Sequence, residues 1–176
     1  MATNLRTILR DQCDVAWSLF EYHAEALTDE VLLWSPSAHQ WTMRQVDDRW
    51  RADLAKVEPD PVPVTTIAWL TWHMGWWWST ATAHLAQTPA PSPDEIQWPD
   101  SASEIIRWLD RIHAEWQQVL ADTERLDDEA SYPWPEGSGK TLADMAAWVN
   151  VELTKNIAEI GQLLVIRRAR EYAGDN

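Results

Sequence analysis

Cysteine is nearly absent: Cys13 stands alone, so the chain can form no intrachain disulfide and no Cys-based zinc cluster. Basic residues are also scarce, with fourteen lysines and arginines against twenty-eight aspartates and glutamates and a formal charge of -14. A chain so acidic repels phosphate backbones and anionic lipid, which argues against nucleic acid and membrane as partners. The opening stretch, Met1 to Arg6, lacks the charged and then apolar order of a secretory signal. Together with the missing disulfide this points to a cytoplasmic protein. Asp, Glu, Lys and Arg are all missing between Pro61 and Pro93, a segment crowded with tryptophan. A membrane span is excluded by what that segment does contain: Thr65, Thr66, Thr71, His73, Ser79 and His84 would have to enter hydrocarbon, and Trp prefers the interface. The expectation is a buried soluble helix.

What is present is helical periodicity. A length of 176 residues suits one domain with one core, so 1–176 is read as a single unit. Leu5, Ile8, Leu9, Ala16, Leu19 and Ala26 recur at helical spacing, with no Gly or Pro between Leu5 and Leu27, and predict a first helix there. Thr28 to Val64 has no sustained period and carries Pro36, Pro59, Pro61 and Pro63. It reads as a long structured crossover with one short helix between Met43 and Val57, packed down by Trp34, Trp41 and Trp50. Thr65 or Thr66 caps a second helix that runs to about Gln87 and stops at Thr88-Pro89. Ser101 and Glu104 have capping-box spacing before a third helix. Thr141 and Asp144 cap a long fourth, whose tail of Arg167, Arg168 and Arg170 complements the helix dipole. No strand and no internal repeat is evident. The sum is an all-α four-helix bundle.

Two polar residues interrupt the inward stripe of the fourth helix. Met145, Val149, Ile160 and Leu163 fall on one face at ~100° per residue, and Glu152 and Asn156 fall within that face. A carboxylate taken out of water costs several kcal/mol unless it is paired, and His73, near the middle of the second helix, is the leading partner. If the second and fourth helices pack side by side, an imidazole, a carboxylate and an amide oxygen meet. Two readings stay open. The three can hold a divalent ion such as zinc or nickel, leaving an open position for chemistry, or they can form a buried hydrogen-bond network fed by tryptophan N–H groups. His84 points the same way as His73 but lies ~16 Å along the helix, too far to share an ion. His23, near the end of the first helix, is either a hydrogen-bonded rim histidine or a substrate contact.

Several stretches carry a family resemblance: the opening helix, Trp41-Thr42-Met43-Arg44, Ile67 to Met74, and Val149 to Gly161. They are similar to the DinB-like superfamily, in particular its branch with mycothiol-dependent maleylpyruvate isomerase, and the likeness covers nearly the whole chain. The resemblance implies a bundle in up-down-down-up order whose metal is held by a histidine of the second helix and an i, i+4 pair of the fourth. His73 matches the first ligand and Glu152 the second, while Asn156 stands where the family carries a histidine.

The resemblance implies an enzyme in which an ion at His73, Glu152 and Asn156 binds a low-molecular-weight thiol such as mycothiol or bacillithiol. His73 and Glu152 are then the catalytic centre. The ion's charge would stabilise the thiolate that attacks a small electrophile, with Trp41 and Trp77 as an apolar wall and His23 as a substrate contact. The alternatives are a bundle without metal that binds a small apolar molecule or a protein partner, and a polar core with no ligand at all. A homodimer is the common closed assembly, and no residue pattern demands it.

Overall fold

Residues 4–174 are described by the computed structural model. Among these described residues five α-helices form: α1 (Leu5–Ala24), α2 (Asp29–Leu32), α3 (Ile67–Ala86), α4 (Ala102–Asp122) and α5 (Leu142–Gly174). The four long ones answer to the four expected helices. Their ends follow the expected caps: Thr66 Oγ1 accepts from Trp69 N at 3.2 Å, and Ser101 Oγ accepts from Glu104 N at 3.4 Å. Thr141 and Asp144 satisfy each other's backbone N–H groups at 2.9 and 3.2 Å. Helix α3 ends where Gln87 turns left-handed, at φ 58°, one residue before Thr88-Pro89.

Helix α1 packs against α4 and α5, and α3 packs against the same two, so α1 and α3 stand on one diagonal of a four-helix ring. The diagonal closes in the core, where the Trp17 and Trp78 rings meet edge to face at 5.7 Å. Fifteen of the twenty residues of α3 are buried, which explains why the segment has no charge: a helix covered on most of its girth leaves few positions where an ionised side chain could stay hydrated. No helix among the described residues is long and apolar enough to cross a membrane.

The crossover departs from expectation. Instead of a helix between Met43 and Val57 it contains a β-hairpin, β2 (Met43–Val46) with β3 (Arg49–Ala52), in the register Met43↔Ala52 and Val46↔Arg49. Flanking it, β1 (Gln40–Trp41) pairs in parallel with β4 (Val64–Thr65), so the expectation of no strand is also corrected. Asp47 and Asp48 take φ values of 50° and 58°, the left-handed pair that a two-residue hairpin turn requires. Asp tolerates that region better than most residues. The short helix of this segment is α2, capped by Thr28.

Candidate functional site

Residues Trp69, His73 and Trp76 recur at i, i+4 and i+7 on α3, so their rings stand on one face. Trp69 and His73 stack at 4.7 Å with their planes 18° apart, and Trp76 meets His73 at 6.3 Å. Trp41 extends this wall by stacking on Trp69 at 5.2 Å. Its place is set by backbone pairing, because Trp41 O accepts from Thr66 N at 2.9 Å just before α3 begins. Asp53 ties the hairpin to the same wall. Its carbonyl accepts from Trp69 Nε1 at 2.7 Å, while its carboxylate accepts from Thr42 N at 3.0 Å and takes the Arg44 fork at 2.8 and 2.9 Å. Over this wall opens a cavity of about 380 Å³, lined also by Val62 and Pro63 of the crossover and by Lys155, Asn156 and Glu159 of α5.

The polar side of the cavity is a short chain of committed groups. Asn156 is 1% exposed; its Oδ1 accepts from Trp77 Nε1 at 3.0 Å and its Nδ2 donates to Glu159 Oε2 at 3.0 Å. His73 Nδ1 is buried with no hydrogen-bond partner. Burial pulls the His73 pKa from 6.5 to about 4, the Lys155 charge adds to the drop and Asn156 opposes it. At neutral pH the ring is uncharged. Glu152 looks elsewhere: Lys155 Nζ holds its Oε2 at 2.7 Å, and its charge acts on Tyr132, whose hydroxyl is pushed up to about 12 by burial first and Glu152 second. Tyr132 in turn stacks on His84 at 5.2 Å.

His73, Asn156 and Trp41 are therefore brought together, as the side-by-side packing of α3 and α5 requires. Glu152 is one turn from Asn156 but does not line the cavity. Trp77 lies behind Asn156 as its donor rather than on the wall. His23 is in a different place, its ring over Gly161 so closely that a Cβ there would lie 2.5 Å from Nε2, beside a separate cavity of about 290 Å³.

As the side chains stand, the donor set does not fit a divalent ion. The Asn156 amide is engaged at both ends, Glu152 is ion-paired to Lys155, and the lysine's charge acts on His73. Among the described residues no group of three or more His, Cys, Asp or Glu side chains is placed to hold a metal. Sequence reasoning missed Trp69, Trp76, Lys155 and Glu159. The first two were legible as the i-4 and i+3 neighbours of His73, and Glu159 as the i+3 neighbour of Asn156. Nothing in the sequence marked Asp53 as the tie between hairpin and wall.

Against known families, the model of the DinB superfamily matches residues 12–160, a span that includes every residue of the cavity. No curated protein matches the chain.

Proposed function

The chain belongs to the DinB superfamily, and from that premise we propose that its working site is the cavity over His73, where it binds a small molecule with a compact apolar body and no resident metal ion. The stacked wall of Trp41, Trp69, His73 and Trp76 carries this reading. Pockets for small ligands are largely apolar, with a few placed polar groups, and fall in the range of ~300–1,000 Å³. Glu159 and the neutral His73 supply those groups. We also read the helix order as up-down-down-up. Along α1, Arg10 meets Gln117 of α4 and Arg6 meets Ala121, an opposed order, whereas Leu9 meets Asn150 of α5 and His23 meets Gly161, a matching order.

A rival reading, a divalent-metal enzyme that transfers a low-molecular-weight thiol to an electrophile, is favoured by one observation. His73 is neutral with an unpartnered Nδ1, the state a metal-ligating imidazole needs. It would require Glu152 to leave Lys155. Elemental analysis of protein purified without a metal-binding tag, followed by zinc and nickel titration of wild type and Glu152→Ala, separates the two. The expected result is no stoichiometric metal and no thermal shift with either ion. Near-stoichiometric metal that disappears in Glu152→Ala would overturn the metal-free reading and establish the ion on α5.

A further inference from the structure

The charge around the cavity narrows the chemistry of its occupant. Three indole rings line it, from Trp41, Trp69 and Trp76. Trp69 already stacks on both Trp41 and His73, so the aromatic surface left for an occupant belongs mainly to Trp41 and Trp76, and an aromatic face presents the negative side of its quadrupole to whatever lies against it. Two carboxylates stand at its edge, Glu58 and Glu159. Neither has a cationic partner among the described residues; the Glu159 contact is the Asn156 amide. A single cation lines the space, Lys155, and its ammonium is already held at 2.7 Å by Glu152, which lies outside the cavity. The remaining titratable neighbour, His73, contributes no positive charge at neutral pH.

From this juxtaposition we infer that the occupant is an organic cation, a compact alkylated ammonium laid against the indole wall with its charge towards Glu159 and Glu58. The inference rests on the cavity being the working site, and adds the sign of the ligand's charge. An anion of the same shape would meet two carboxylates without a cationic partner and one lysine already ion-paired to Glu152. A neutral molecule would gain the apolar contact alone. The excess of acidic groups over the whole chain works in the same direction, since a net charge of -14 concentrates cations near the surface.

Three isosteres test it: choline, the neutral 3,3-dimethylbutan-1-ol and the anionic 3,3-dimethylbutanoate, titrated into the ¹⁵N-labelled protein while the tryptophan indole N–H signals are followed. Choline is expected to move the Trp69 and Trp76 signals and to bind about 5- to 30-fold more tightly than the alcohol, the range of a cation on desolvated indole faces. The carboxylate should bind most weakly. In Glu58→Gln/Glu159→Gln, two substitutions at exposed positions that remove the charge while the new amide oxygen at position 159 can still accept from Asn156, the preference for choline over the alcohol should shrink several-fold. If the alcohol binds as well as choline, the cation is wrong while the cavity remains the binding site. If none of the three moves the Trp69 or Trp76 signals, the cavity is not a small-molecule site and both readings fall.

Discussion

His73 is held in a state its sequence neighbourhood alone would not impose. Buried among Trp69, Trp76 and α5, it has a pKa of about 4 against an ordinary 6.5. The unfolded chain therefore takes up a proton near pH 6.5 that the folded chain refuses until about pH 4. The stability linked to this group is full above pH 6.5 and is lost as pH falls towards 4. A shift of this size corresponds to on the order of 3 kcal/mol. Urea denaturation at pH 7 and pH 4 should show wild type losing about that much more than His73→Gln, since the other titrating groups are common to both. Equal losses would mean that the imidazole is hydrated in the folded protein. The pairing at Asn156 also belongs to this scale. Reading Asn156 as an inward polar residue was correct, and so was the idea that tryptophan N–H groups feed it. The donor is Trp77, which had been assigned to the wall, because at one further turn along α3 its ring passes behind the amide instead of over the cavity.

Among the elements, α3 is the one that tolerates least change. Trp108 of α4 lies across Gly75 so closely that a Cβ there would fall 1.8 Å from its ring. Alanine favours a helix over glycine by ~1 kcal/mol, but forcing the indole aside costs about 1–3 kcal/mol, so Gly75→Ala should be net destabilising by roughly 1 kcal/mol in a urea melt. A variant as stable as wild type would show that Trp108 turns out to solvent at no cost. The four long helices could be read from spacing and caps because each signal is local: an apolar stripe and a side chain that bonds a free N–H within one turn. The hairpin of the crossover escaped for an equally local reason. Its turn is Asp47-Asp48, without the glycine that normally marks a left-handed pair. Only its pairing and the tie from Asp53 to Thr42, Arg44 and Trp69 make the strand geometry worthwhile.

For the molecule as a whole the dominant quantity is its charge. Twenty-eight carboxylates against fourteen basic side chains leave repulsion that the surface ion pairs, worth little singly, do not cancel. Raising salt from about 20 to about 200 mM shortens the Debye length from ~20 Å to ~7 Å, and the melting temperature should rise with it. A fall would mean that the paired charges matter more than the unpaired ones. This charge balance, the four long helices, their caps and the inward Asn156 were determined by the sequence by itself, because composition and periodicity are properties of the chain before it folds. Which carboxylate meets Asn156 was decided only by the tertiary structure. Glu152 and Glu159 flank Asn156 within ~60° on the helical wheel, so periodicity cannot choose between them. Their heights along α5 do, ~10 Å apart: Glu152 lies near Tyr132 and is held by Lys155, while Glu159 lies at the cavity. Trp41 likewise comes to the wall only through the pairing of β1 with β4, a contact between segments that no local pattern connects.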